Sequence, residues 1–319
     1  MHPHLIQLTD DVPVAAVDFA RDLIAGLHEQ PRQVSPKYFY DAVGSALFER
    51  ICELPEYYPT RTEMGILQSR AHEMAECIGA QADIVEFGAG ASRKIRLLLN
   101  HLQAPQRFLP VDISGEHLHE AAGSLRRDYP GLRVEPIAAD FTQGLNLPPA
   151  LGRRIGFFPG SSIGNFEPEA ARNLLRRMAG WLQGGGLLIG VDLVKHPDEL
   201  HAAYNDAQGV TAAFNKNLLA RANRELGADF ELSAFDHYAF YQPQLQRIEM
   251  HLLSRTRQTV RFCGQRFEFE QGQSLHTENS YKYTLDSFAA LARSAGFEPA
   301  AVWTDTDQRF AVHWLTLPS

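Results

Sequence analysis

An apolar run, Ile84 to Phe87, stops at two glycines one residue apart, Gly88-Ala89-Gly90, and a helix-like pattern follows with Ile95, Leu98, Leu99 and Leu102 on one face. Few local patterns restrict a fold as much as strand, glycine turn and helix in succession. The glycines allow positive φ and let a ligand lie against main chain, where a Cβ would block it. The helix start beyond them offers unpaired N–H groups. Three readings fit the turn. It is an ordinary strand-to-helix connection, or a dinucleotide site, or a site for S-adenosylmethionine (SAM). The dinucleotide fingerprint wants Gly-x-Gly-x-x-Gly, and Arg93 stands where its last glycine belongs. A SAM site wants an acidic residue just ahead of the turn, which Glu86 supplies.

The next strand-like runs add weight. Arg107 to Ile113 carries Asp112, 24 positions after Gly88; Val134 to Asp140 ends in Asp140-Phe141; Ile155 to Gly160 runs into Ser161-Ser162-Ile163-Gly164-Asn165. A helix over 168–183, the triplet Gly184-Gly185-Gly186 and the apolar run Leu187 to Val191 follow. Strands alternating with helices predict a parallel sheet, and near-continuous apolar strands predict burial on both faces. Ligands of such sheets bind at the carboxyl ends of the strands. Glu86, Asp112, Asp140 and Asn165 each fall at or just past such an end. Asp112 is placed to accept from both ribose hydroxyls of an adenosine, and Asp140 from the adenine amino group with Phe141 packing on the ring. Either alone is equally a helix N-cap or a turn carboxylate; the pair at successive strand ends favours the ligand.

Helices are expected over 14–28, around Leu47 to Cys52, and from Glu63 to Ile78. Between the first and last of these lie two tyrosine-rich segments, Ser35-Pro36-Lys37-Tyr38-Phe39-Tyr40-Asp41 and Leu54-Pro55-Glu56-Tyr57-Tyr58-Pro59-Thr60-Arg61-Thr62-Glu63. Tyrosine can line a pocket and offer a hydroxyl at its tip, but a core aromatic cluster explains the composition at least as well. After Lys195 the character changes. Residues 198–226 read as helical and polar-rich. Residues 237–270 alternate in strand fashion, with breaks at Gln242-Pro243, Ser254-Arg255 and Cys263-Gly264, and predict a small antiparallel sheet in an inserted second domain. A helix over 285–295 and a hairpin built on Val302-Trp303-Thr304 and Phe310 to Leu315 return the chain to the first sheet.

A net charge of −8 with no Lys/Arg block argues against nucleic acid or an anionic membrane surface as partner. Three scattered cysteines, Cys52, Cys77 and Cys263, give neither a disulfide framework nor metal-ligand spacing. The opening Met1-His2-Pro3-His4 lacks the basic-then-apolar pattern of a signal peptide. No apolar run approaches the roughly 20 residues of a membrane span. A soluble, cytoplasmic monomer acting on a small molecule is expected.

With these segments laid out, the chain resembles the SAM-dependent L-histidine Nα-methyltransferases of ergothioneine biosynthesis. The matching stretches are Pro36 to Asp41, Leu54 to Glu63, Gly160 to Asn165, Asp192-Leu193-Val194-Lys195, Gly209-Val210-Thr211, Asn223-Arg224-Glu225-Leu226, Arg247-Ile248-Glu249-Met250 and Thr277-Glu278-Asn279-Ser280. They span the chain nearly end to end. The resemblance implies an α/β fold: a Rossmann-like methyltransferase domain (62–197 plus 283–319) with a second, α+β substrate-binding domain (1–61 plus 198–282). It implies that Tyr40, Asn165 and Tyr204 grip the substrate carboxylate, that Glu278 and Ser280 read the imidazole, that Tyr57 lies near the amino group, and that Met250 shapes the pocket. Tyr57 and Asn165 are the residues expected nearest the chemistry. On the cofactor side it implies Gly88, Lys94, Asp112, Asp140 and Phe141, beside Glu86 and Gly90 of the turn; a solvated helix lysine is the plain alternative for Lys94. No metal is expected. The implied product is hercynine, the Nα-trimethylated histidine. Two other readings stay open: a same-fold N-methyltransferase for another amino acid or amine, such as a tryptophan derivative, and a non-catalytic amino-acid or SAM-binding protein.

Overall fold

A computed structural model describes residues 14–317; the opening Met1 to His4 lies outside the described residues. In chain order the elements are α1 (Val14–His28), β1 (Arg32–Gln33), α2 (Ala42–Glu53), α3 (Tyr58–Ile78), β2 (Asp83–Phe87), α4 (Arg93–Leu99), β3 (Arg107–Asp112), α5 (Gly115–Asp128), β4 (Arg133–Val134), β5 (Ile137–Ala138), β6 (Arg154–Phe158), α6 (Pro168–Trp181) and β7 (Gly186–Asp192). There follow α7 (Pro197–Tyr204), α8 (Val210–Leu226), β8 (Phe235–Gln242), β9 (Arg247–Ser254), β10 (Gln258–Phe262), β11 (Gln265–Phe269), β12 (Ser274–Tyr281), α9 (Leu285–Ser294), β13 (Glu298–Thr304) and β14 (Phe310–Thr316). The chain divides into two compact units. One holds the chain up to Glu56, Asp198–Gln242 and Ile248–Asn279; the other holds Tyr57–Pro197, Pro243–Arg247 and the chain from Ser280 on.

The second of these is built on a sheet of order β13-β14-β7-β6-β2-β3-β4, with β5 also on β3. β2, β3, β6 and β7 pair in parallel, and β14 joins β7 antiparallel. The chain winds from β2 outward through β3 and β4, then returns to β6 on the other side of β2. Strand order therefore reverses at β2, the position where a crevice opens in a doubly wound sheet. β2, β6 and β7 are buried along their whole length, as their apolar runs predict. Ile66, Leu67 and Met74 of α3, Ile95 and Leu98 of α4 and Leu125 of α5 pack in one cluster. Leu174, Leu175 and Met178 of α6 pack with Phe288 and Ala292 of α9 in a second. The stretch 134–140, expected as one strand, is broken into β4 and β5. Pro136 has no N–H to donate and interrupts the ladder between them. Helix α3 starts five residues before Glu63, with Pro59 in its first turn, where a missing N–H costs nothing.

The other unit is α+β. Its sheet has the order β1-β12-β9-β8, with β1 parallel to β12, and β10-β11 form a separate antiparallel ribbon. The expected single sheet over 237–270 is thus two. Cys263 (φ 49°) and Gly264 (φ 72°) make the two-residue turn of the ribbon, both in the left-handed region such turns require. Burial alternates strictly along β9, with Ile248, Met250 and Leu252 inward. Asp41 caps α2 by accepting from Gly44 N at 2.7 Å, and a Cβ on Gly44 would stand 1.7 Å from the Phe39 carbonyl oxygen. Only glycine allows this approach.

One core group carries a titration. His313 of β14 is 2% exposed against the Phe288 ring, and its Nε2 has no partner among the described residues. Burial pushes its pKa down to about 4, against roughly 6.5 in an unfolded chain. Between those values the unfolded state binds the extra proton, so stability is full above about pH 6.5 and falls as pH drops toward 4. In urea titrations, His313→Leu is expected to reduce the stability lost between pH 7.5 and pH 5 by roughly 2 kcal/mol. Equal losses in both proteins would refute it.

Candidate active site

The carboxyl edge of the large sheet carries the glycine turn. Gly88 (φ 71°) and Gly90 (φ 47°) take left-handed backbone, as does Ser92 (φ 52°) just before α4. A Cβ built on Gly88 or Gly90 meets nothing within 4 Å, so the turn faces open space. Asp112 is fixed beside it: one carboxylate oxygen accepts from Gly90 N at 3.0 Å and the other from Ser114 N at 2.9 Å. Each oxygen keeps lone-pair capacity for a ligand. Asp140 takes the Thr142 N–H at 2.8 Å and its hydroxyl at 2.5 Å on one oxygen, a turn-capping use. Phe141 meets Phe87 and Phe158 edge-on, with centroids 5.9 and 5.7 Å away.

Glu86 lies beneath this turn, 1% exposed, and its Oε2 has no hydrogen-bond partner among the described residues. Burial pushes its pKa well above the usual carboxylate range; Lys94 pulls it down, while Asp112 and Glu63 push it further up. Lys94 itself is held by Glu63, Nζ to Oε2 at 2.5 Å. Glu63, on α3 and 1% exposed, also accepts from Gly160 N at 3.0 and 2.9 Å through its two oxygens. It is a site residue that sequence reasoning passed over, although it closes the Leu54 to Glu63 stretch. A lone acidic residue on the buried face of a helix was the available signal.

Asn165 ends a short 3-10 turn, Ser162–Asn165, whose Gly164 lies so close to β12 that a Cβ would stand 2.7 Å from the Tyr281 carbonyl oxygen. Beyond Asn165, Glu167 accepts from Arg247 at 2.7 Å and from the Tyr281 hydroxyl at 2.5 Å. Tyr57 is buried just ahead of α3, and its carbonyl accepts from Arg61 at 3.2 Å. At the carboxyl end of β7 sits a second buried charge cluster. Asp192 accepts from the Tyr58 hydroxyl at 2.9 and 2.8 Å, from Lys195 at 2.6 Å and from Lys282 at 2.8 Å. Burial pushes this carboxyl up, but Lys282 and Lys195 outweigh it and hold the pKa below the usual range. Lys282 also donates to Ser280 Oγ at 2.7 Å.

In the α+β unit, Tyr204, Met250 and the Thr277-Glu278 step are tied to one buried amide. Asn215, fully buried on α8, donates to His237 Nδ1 at 2.9 Å and to the His251 carbonyl at 3.0 Å. Thr277 Oγ1 lies 2.8 Å from Asn215 Oδ1 and 3.0 Å from the Met250 carbonyl. His237 Nε2 faces the Tyr204 carbonyl at 2.9 Å. Burial lowers the His237 pKa. Glu278 is 9% exposed, with Thr277 beside it at 1%. Tyr40 is half-buried, edge-on to Phe48 and Phe214 at 5.6 Å each. Asn215, His237 and Thr277 were also missed; for Asn215 the available mark was a polar residue beside the apolar stripe Val210, Phe214, Leu218 of α8.

Glu249, His251 and His276 bring potential metal-ligand atoms within 4.8 Å of one another. The two imidazoles stack at 4.6 Å with only 16° between planes. A metal must lie in the plane of each ring to meet its lone pair, and near-parallel stacked planes offer no common point.

A family profile described as histidine-specific methyltransferase, SAM-dependent, matches residues 19–317. The chain is 44% identical to histidine N-alpha-methyltransferase of Mycolicibacterium smegmatis over 91% of this chain and 92% of that protein. This chain belongs to the histidine-specific, SAM-dependent methyltransferase family. It is 41% identical to histidine N-alpha-methyltransferase of Mycobacterium tuberculosis, over 89% of this chain and 90% of that one. It is 30% identical to ergothioneine biosynthesis protein 1 of Neurospora crassa, over 86% of this chain but 32% of that longer protein. A methyltransferase of this family must accommodate a donor that is cationic at sulfur and at its amino group. The open glycine turn, the partnerless Glu86 oxygen and the acid-rich surroundings of Lys94 fit such a donor. Among the described residues no helix is long and apolar enough to cross a membrane.

Because Glu63 pairs with Lys94 and accepts from Gly160 N, Glu63→Gln is expected to cost about 3 kcal/mol in denaturant unfolding, the low end for removing one member of a buried pair because Lys94 keeps some exposure. A change below about 0.5 kcal/mol would show that Glu63 holds nothing.

Proposed function

We propose that this chain transfers methyl groups from SAM to the α-amine of free L-histidine, ending at the Nα-trimethylated product hercynine, a step of ergothioneine biosynthesis. The observation that carries the reading is the near end-to-end likeness to two proteins named histidine N-alpha-methyltransferase, at 44% and 41% identity. In this reading the unit with the parallel sheet binds SAM, and the α+β unit supplies most of the amino-acid contacts. SAM brings an activated methyl at its sulfonium, so the residues need to position rather than to attack. Gly88 and Gly90 give main-chain access, Asp112 accepts from the ribose hydroxyls, and Asp140 with Phe141 receives the adenine. Glu86 faces the cationic end of the donor and Lys94 its carboxylate.

For the amino acid, Tyr40, Asn165 and Tyr204 are neutral donors that grip a carboxylate without adding positive charge near the sulfonium. Glu278 accepts an imidazole N–H, Ser280 meets the other ring nitrogen, and Met250 limits the pocket. The amine attacks once unprotonated: the nitrogen lone pair forms the N–C bond, the C–S bond breaks, and sulfur keeps the electron pair. The proton leaves through the Tyr57 hydroxyl or water.

Mass spectrometry of histidine incubated with SAM and the protein is expected to show products heavier by one, two and three methyl groups. With free amino acids in competition, tryptophan outrunning histidine would overturn the specificity, and histidine binding without transfer would favour a non-catalytic binder. Glu278→Ala is expected to lower histidine kcat/KM by on the order of 100-fold, the scale of a lost charge-assisted hydrogen bond, with SAM affinity unchanged. Unaltered histidine kinetics would remove Glu278 from the role.

A further inference from the structure

We infer that Glu63 is a positioning residue that lets the donor site accept a sulfonium. It cancels the charge of Lys94, so that SAM binds without penalty relative to its uncharged thioether product, S-adenosylhomocysteine. The inference rests on the proposed reading in which the parallel-sheet unit binds SAM with Lys94 at its carboxylate. Its basis is how closely the fold is built around one acid. Glu63, on α3, is 1% exposed. Its Oε2 pairs with Lys94 Nζ at 2.5 Å, and its two oxygens stand 3.0 and 2.9 Å from Gly160 N, just past β6. Against β7, a Cβ on Gly190 would stand 2.1 Å from Glu63 Oε1 and 3.0 Å from its carboxyl carbon. Gly190 is not among the positive-φ glycines, so what it provides is space for this carboxylate. Glu63, Lys94, Gly160 and Gly190 all belong to the parallel-sheet unit.

Lys94 is the second residue of α4, directly after the glycine turn, and 19% of its side chain stays exposed. It is the member of the pair that keeps access to a ligand. An ammonium has three donors, so Lys94 can meet a carboxylate while still paired with Glu63. Left unopposed, it would attract that carboxylate but repel the sulfonium three carbons further along the same chain. SAM and S-adenosylhomocysteine share the carboxylate and the amine, and differ by a methyl group and the charge at sulfur. Glu63 therefore acts on the difference between them. Glu86 and Asp112 also bear on this pair: Glu86 feels Lys94 against Asp112 and Glu63. Glu63 is the acid in contact with the ammonium. At roughly 10 Å and an effective dielectric constant of about 20, one unit charge changes a binding constant by on the order of tenfold.

The test is calorimetry of SAM and of S-adenosylhomocysteine at pH 7.5, with no amino acid present to consume the donor, read as the ratio of the two dissociation constants. In the wild type, SAM is expected to bind within roughly tenfold of S-adenosylhomocysteine, or more tightly. A larger preference for S-adenosylhomocysteine overturns the inference, and this arm needs no variant. In Glu63→Gln the ratio is expected to move about tenfold toward S-adenosylhomocysteine. A purely structural role would weaken both ligands and leave the ratio alone. Adding Lys94→Met to Glu63→Gln removes the unopposed charge; both ligands should weaken, but the ratio should return to within about threefold of the wild-type value. Glu63→Asp, which keeps the charge, should keep the ratio. Far-UV circular dichroism reports whether each variant folds; if Glu63→Gln does not, Glu63→Ser, which leaves room for water beside Lys94, takes its place. An unchanged ratio in the uncharged single variant overturns the inference, whether Glu86 ionises in place of Glu63 or the charge fails to reach the sulfur. A shifted ratio persisting in the double variant overturns it too. If the wild type binds neither compound, the proposed function fails instead.

Discussion

Three strands buried on both faces carry no alternation that says how far each should slide along its neighbour. In the large sheet that information comes from a carboxylate at the amino ends. Asp83 of β2 is fully buried and takes both Nε and Nη2 of Arg107 at 2.9 Å, with Arg154 Nη2 at 3.1 Å. The register pairs Asp83 with Arg107 on one side and with Arg154 on the other. Leftover guanidinium hydrogens go to the carbonyls of Pro149 and Pro148 at 2.8 and 2.5 Å. Slipping either strand by one residue would leave a buried charge uncompensated, at roughly 3–5 kcal/mol. With the amino ends fixed, the carboxyl ends are fixed too, and this is why an Asp112 oxygen lands 3.0 Å from Gly90 N.

The opposite edge inverts the charge pattern. Lys94 is paired with Glu63, and Glu86 feels Lys94 against Asp112 and Glu63. Around Asp192 stand Lys195 and Lys282, two ammonium groups against one carboxylate. The second cluster is almost fully buried, whereas Lys94 and Asp112 of the first keep some exposure. Burial, with Asp112 and Glu63 added, outweighs the pull of Lys94 and favours the protonated form of Glu86.

Periodicity made much of this legible. The doubly wound sheet, its closing hairpin and the acidic residues at successive strand ends follow from apolar runs, glycines and spacing, because burial on both faces leaves an unbroken apolar signature. What did not follow is pairing. Glu63 and Lys94 are 31 residues apart, Tyr58 and Asp192 are 134 apart, and nothing local marks either partner. Alternation likewise told that residues 237–270 are strands with one buried face, but not that β10 and β11 would pair only with each other. The break at Pro136 was visible in the sequence and outweighed by the apolar residues around it.

The α+β unit solves its positioning problem without net charge. A carbonyl can only accept, so the His237 nitrogen facing the Tyr204 carbonyl must carry the proton, and the other ring nitrogen must accept from Asn215. With Nδ2 spent on His237 and the His251 carbonyl, Asn215 Oδ1 is left to accept from Thr277. Every bond in the chain has one permitted direction. Protonating His237 would set an N–H against the Asn215 amide N–H, and burial already opposes that charge. Burial and the fixed directions of these bonds both favour the neutral ring.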